Sequence, residues 1–140
     1  MNWTEADVLA HEARMRGEVA PAPPKKPATQ SHRRGEMNKT EALYAELLEV
    51  EKQAQIIRDW MFESVTFHLA DRCSYTPDFI VIHSDGLPEA VEVKACMADG
   101  RLLAKDDSIV KFKVARKLFP WIKWTLIGRL KDGTWSVRNV

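Results

Sequence analysis

The sequence predicts a mixed α/β (α+β) domain, with a central mixed sheet flanked by helices. Three observations carry this expectation: short runs of alternating apolar and polar residues, two stretches of helical periodicity that bracket most of them, and turn-forming strings in between. The predicted order is helix, three strands as a meander, helix, strand, strand.

The first helix is expected over about residues 39 to 54. Asn38 and Glu41 have the spacing of a capping box, and Leu43, Tyr44, Leu47, Leu48, Val50 and Ala54 recur at helical intervals. Val65, Phe67 and Leu69 alternate with Ser64, Thr66 and His68, which predicts a half-buried strand. Asp71-Arg-Cys-Ser74 is expected to turn the chain into a strand at about 75 to 82 that is apolar on both faces except at Asp78. Ser84-Asp-Gly-Leu-Pro88 supplies the next turn, ahead of a strand at 89 to 95. Asp106, Asp107 and Ser108 offer helix-start chemistry for a second helix that Pro120 stops. Trp121 to Ile127 predicts a further strand, and Asp132-Gly133 a final hairpin to Trp135 and Val137.

With 140 residues, 45% of them hydrophobic, the chain suffices for one compact domain, expected at residues 37 to 140. Residues 1 to 36 are expected to form an N-terminal arm: a thin helical pattern over 1 to 16, a proline-rich linker at 21 to 27, and a basic stretch from Lys25 to Lys39. That stretch is either a contact for an acidic partner or only solvated chain. Lys and Arg total 21 against 20 Asp and Glu, so a net charge of +1 does not mark a nucleic-acid binder, and any electrostatic footprint must be local. Two cysteines, Cys73 and Cys96, do not make a disulfide framework and lack metal-ligand spacing. No apolar run approaches the roughly 20 residues of a membrane helix, so a cytoplasmic location with no membrane partner is expected.

The chemistry gathers in two strings, Tyr75-Thr-Pro-Asp-Phe-Ile-Val-Ile and Ala90-Val-Glu-Val-Lys94. Glu92 and Lys94 are two apart in a strand and project from one face, while Val91 and Val93 project from the other. The short turn between the strands allows Asp78 to lie beside Glu92. Two buried carboxylates held together are costly unless a cation joins them, and Mg²⁺ is bound through one or two carboxylates while keeping positions for water and phosphate oxygens. A metal so placed assists phosphodiester hydrolysis by Lewis-acid action and by acidifying water. Lys94 would face the water or the phosphate as general base or as electrostatic stabiliser, and the sequence decides neither. Glu41 is a third acid that serves either as helix cap or as a metal ligand pointing at the sheet.

These residues resemble the PD-(D/E)xK nuclease superfamily, with Pro77-Asp78, then Glu92-Val93-Lys94, and Glu41 on the preceding helix. Within it, the stretch from Met37 to about Gly128 is similar to a small phage and prophage family of unknown function, through Tyr75-Thr-Pro-Asp-Phe, Val91-Glu-Val-Lys, Val110-Lys-Phe-Lys-Val and Leu118-Phe-Pro120. The resemblance implies a restriction-endonuclease-like αβββαβ core and Mg²⁺ dependence, with Mn²⁺ as a substitute. It further implies Asp78, Glu92 and Lys94 as catalytic residues, joined by Glu41, and the Val93 carbonyl as an added metal ligand. The expectation that follows is a DNA endonuclease in a phage-carrying bacterial host. Relatives that resolve branched DNA as dimers extend it to duplex or branched DNA and a homodimer. The second reading is a DNA-binding recombination or packaging accessory that does not cut.

Other residues have two readings each. Lys111 and Lys113, with Arg33 and Arg34 of the arm, are candidate phosphate contacts, or else solvated charges. Glu63 is a supplementary acid or an exposed strand-end charge. His83 either approaches the site from its strand end or is a satisfied structural histidine. Trp121, Trp124 and Trp135 are base-stacking candidates or core.

Overall fold

The computed structural model describes Glu5, Val8, Leu9 and residues 35–103 and 106–138. The chain divides into two compact units, Met1–Ser31 and His32–Val140. In the first, Glu5, Val8 and Leu9 have helical backbone. The proline-rich linker and the basic stretch up to Arg34, including Arg33, lie outside the described residues.

The second unit is α+β. Helix α1 (Lys39–Gln53) is followed by β1 (Ile57–Phe62), β2 (Phe67–Ala70), β3 (Cys73–Tyr75), β4 (Phe79–His83), β5 (Pro88–Ala95), α2 (Asp106–Leu118), β6 (Lys123–Arg129) and β7 (Trp135–Arg138). Five strands form a mixed sheet in the order β1-β4-β5-β6-β7, and β2 with β3 forms a separate two-stranded ribbon. The β1–β4, β4–β5 and β6–β7 pairings are antiparallel, and β5–β6 is parallel. A parallel neighbour needs a crossover, which α2 supplies.

The expected meander is therefore present with a different first strand. Val65 to Leu69 was expected to open it, but Phe67–Ala70 leaves the sheet and folds back on Cys73–Tyr75, and Ile57–Phe62 takes the sheet position. The physical reason is visible in β1. It is an edge strand whose register shifts between Ile57 and Asp59, so its apolar residues lose strict alternation and Arg58 and Asp59 face solvent. The expected strand at 75 to 82 splits correspondingly: Tyr75 ends β3, and β4 begins only at Phe79. Asp71 and Arg72 do turn the chain, as expected, but into β3; Cys73 and Ser74 are ribbon strand, and Arg72 takes a left-handed φ of 53°.

Each sheet face buries one layer. Tyr44, Ala45 and Leu48 of α1 pack on Ile57, Phe79, Val81, Val91, Val93 and Ile127. On the other face Phe112 and Ala115 of α2 pack with Tyr75 and Leu126, while Phe67, Ile80 and Ala90 form an adjoining cluster. Strand β5 is central, buried from Glu89 to Val93, and this explains why both of its faces read as core. Trp124 and Trp135 join these clusters, whereas Trp121 is 72% exposed.

Glu89 is the acid at the start of β5. Its carboxylate receives the Thr125 hydroxyl and approaches His83 Nε2 at 2.5 Å and Lys123 Nζ at 3.3 Å, which ties β4, β5 and β6 together. His83 thus sits at the far end of β5 from Lys94, as a structural partner. Burial pushes the Glu89 carboxyl up, but Thr125, His83 and Lys123 outweigh it and hold it below its ordinary 4.5. A depressed folded value means stability present above the unfolded value and lost as pH falls through the folded one. Glu89→Gln is expected to cost about 1–2 kcal/mol at pH 7. Urea melts should show that difference shrinking below pH 4.5; a constant difference would deny the network this role.

Candidate active site

The Phe79↔Val91 register places Asp78 across from Glu92. Asp78 precedes β4 and is fixed from three sides. Pro77 locks the preceding backbone, the Asp78 carbonyl accepts the Glu63 N–H at 2.8 Å, and its Oδ2 accepts the Val93 N–H at 2.7 Å. Glu63 accomplishes this with a left-handed φ of 43°, where the chain leaves β1. Its own carboxylate accepts the Gly35 N–H at 2.9 Å, so its contribution to the site runs through the backbone.

Asp78 and Glu92 retain only 8% and 3% of their exposure. Among the described residues one cation accompanies them: Lys94 Nζ lies 2.7 Å from Glu92 Oε1. Burial, then the Glu92 charge, pushes Asp78 up to about 8, with Glu41 adding to the effect and Lys94 and the Val93 N–H opposing it. Burial lowers Lys94, but Glu92 and Asp78 more than offset this, and its ammonium is held above the usual lysine range. Asp78 is thus the member of the site that holds a proton at neutral pH. A divalent cation would replace that proton.

Glu41 closes its capping box. Its Oε2 and Oε1 accept Asn38 N and Nδ2 at 2.8 and 2.7 Å, and Asn38 Oδ1 accepts the Glu41 N–H at 2.9 Å. The cap and the site nevertheless adjoin, because the Glu41 charge acts on both Asp78 and Lys94. Among the described residues no group of three His, Cys, Asp or Glu side chains is placed to hold a metal ion. The ready donors are two buried carboxylates, a number that suits a Mg²⁺ site completed by water and substrate oxygens and not a closed structural site. Val93 is engaged through its N–H to Asp78.

A cleft of about 610 Å³ opens beside Lys94, lined by Asn38, Lys39, Thr40, Val93, Ala95, Leu103 and Ser108. Lys39 and Thr40 are the first residues of α1, whose leading N–H groups and dipole favour an anion. Their part in the lining was not read from the sequence. Lys111 and Lys113 do not line the cleft: Lys111 lies 3.6 Å from Asp107 one turn earlier, and Lys113 is exposed. A second residue missed in the sequence is Tyr75, whose hydroxyl donates to Glu92 Oε2 at 2.5 Å. In one continuous strand over 75 to 82 alternation would put it on the face opposite Asp78, but the break between β3 and β4 removes that constraint.

Gly128, level with Lys94 on β6, leaves room for the segment after β5. A Cβ there would lie 2.7 Å from Cys96 Sγ. No helix among the described residues is long and apolar enough to cross a membrane. Comparisons of the chain with protein-family models, with curated proteins and with solved structures found no match.

Proposed function

We propose that the chain is a metal-dependent endonuclease that hydrolyses DNA phosphodiester bonds on a PD-(D/E)xK site. The observation that carries this reading is the mismatch of acids and bases: among the described residues, Asp78 and Glu92, both buried, meet one ammonium, that of Lys94. Structural ion pairs match acids to bases one for one, whereas here two buried acids meet one ammonium and Asp78 is neutral only because it holds a proton. The order α1, β1, β4, β5, α2, β6, with the β2–β3 ribbon inserted, supports a restriction-endonuclease-like αβββαβ core.

Asp78 and Glu92 would hold Mg²⁺, or Mn²⁺ in its place, and the ion would supply Lewis-acid charge and an acidified water. Lys94 keeps its proton at neutral pH, so it serves as an ammonium donor to the phosphate or to the attacking water's oxygen in preference to a base. Lys39 and the first N–H groups of α1 receive a flanking phosphate in the cleft. Glu41 orders that helix end and adds negative charge that favours the cation.

Purified protein incubated with linear duplex, flap and four-way-junction DNA, and with RNA, in Mg²⁺ tests the reading. Cleavage of a DNA substrate, lost in Lys94→Ala with binding retained, is the expected result. Binding without cleavage by the wild type would favour the accessory protein instead.

A further inference from the structure

The two oxygens of Glu92 have different partners. Tyr75 Oη donates to Oε2 at 2.5 Å, and Lys94 Nζ lies 2.7 Å from Oε1. The phenol is anchored, its ring buried with Phe112, Ala115 and Leu126 between the sheet and α2. The ammonium ends a flexible four-carbon stem at the wall of an open cleft. One partner is fixed and the other can leave. Asp78 is likewise held at one oxygen, Oδ2, by the Val93 N–H.

We propose that Tyr75 is a positioning residue: it pins Glu92 Oε2, sets the rotation of the carboxylate, and leaves Oε1 as the oxygen that a divalent cation shares in exchange for Lys94. This rests on the metal-site reading under the proposed function. The hydroxyl donates to Oε2 from a ring that is itself held in the apolar cluster. A carboxylate turned by a donor that cannot move presents one oxygen in one direction, which limits the reorganisation that binding demands. Exchange at Oε1 would also free the Lys94 ammonium from Glu92 and let it turn towards the cleft.

The two neighbours of Glu92 therefore have opposite effects on metal affinity. Loss of the Tyr75 hydroxyl frees the carboxylate to rotate and weakens binding, whereas loss of the Lys94 ammonium removes a competitor and strengthens it. Calorimetric titration of the full chain with Mn²⁺ alone at pH 8 reads both. Tyr75→Phe, which keeps the ring, is expected to bind about 10- to 100-fold more weakly than wild type, and Lys94→Met more tightly. Ile57→Val thins the apolar cluster on the opposite face of the sheet, away from the Tyr75 ring, and is expected to lower the Tm with Kd unchanged. Lys94→Gln replaces Lys94→Met if the latter does not fold.

Equal Kd values for wild type and Tyr75→Phe would overturn the role of Tyr75 while leaving the metal site in place. That role also falls if Ile57→Val weakens binding as much as Tyr75→Phe, because the effect would then be one of general stability. Weaker binding by the Lys94 variant would overturn the exchange at Oε1. No Mn²⁺ uptake by the wild type would remove the metal site itself, and the inference with it.

Discussion

Asp78→Asn is expected to abolish cleavage, by about a thousandfold or more in kcat, and at the same time to make the fold more stable. The carboxamide oxygen still accepts the Val93 N–H, so the geometry at the start of β4 survives. What disappears is one of two buried acids that share a single ammonium. Removing an acid whose ionisation the fold opposes is worth about 1–3 kcal/mol, each kcal/mol appearing as about 3–5 °C in a domain of this size. The effect depends on pH with a defined sign. Burial and Glu92 raise Asp78 from 3.8 to about 8, so folding takes up a proton that the unfolded chain releases near pH 4. In the metal-free wild type this contribution is intact below about pH 4 and is lost progressively as pH rises towards 8. Thermal melts in EDTA between pH 5 and 8.5 should show the variant's advantage widening with pH. A destabilised Asp78→Asn would make the residue structural.

Lys94→Met is expected to move stability the other way. Without the ammonium, Glu92 loses its ion pair and Asp78 the nearest charge that opposes its protonation. Breaking a fully buried pair costs about 3–5 kcal/mol. Because Lys94 keeps 19% of its side-chain exposure, about 2–3 kcal/mol is the appropriate expectation in EDTA. Cleavage should be lost as well. Saturating Mg²⁺ is expected to return about 2–3 kcal/mol, which a hundredfold excess over Kd supplies, and to do so more fully than in the wild type. Melts in EDTA and in Mg²⁺ check both parts. A variant that gains nothing from Mg²⁺ would separate Lys94 from any metal site.

Much of the fold was legible because its elements obey local rules. Asn38 and Glu41 announce α1, the turn at 84 to 88 announces the β4–β5 pairing, and Asp106 to Ser108 announce α2. The acids and Lys94 were legible because charged residues on an otherwise apolar central strand conflict with burial. The failures are tertiary. Ile57–Phe62 lies at the sheet edge, where a bulge and two exposed charges break the alternation, so a clearer pattern at Val65 to Leu69 took its place. Pairing of the ribbon depends on Phe67 meeting Phe119 and Trp124 across the chain, with ring centroids 5.0 and 4.9 Å away. Tyr75 is hidden for a related reason: one continuous strand over 75 to 82 would set it and Asp78 on opposite faces, and the chain breaks that strand between Tyr75 and Phe79. Lys39 and Thr40 gain their place at the cleft only because the start of α1 comes beside the end of β5.

The most direct measurement is cleavage of supercoiled plasmid by wild type and Asp78→Asn, each in Mg²⁺, Mn²⁺, Ca²⁺ and EDTA. Nicked or linear product from the wild type in Mg²⁺ and Mn²⁺ only, with none from Asp78→Asn in any condition, is the predicted result. Cutting that persists in EDTA, equal cutting by Asp78→Asn, or an intact plasmid in every metal would contradict it.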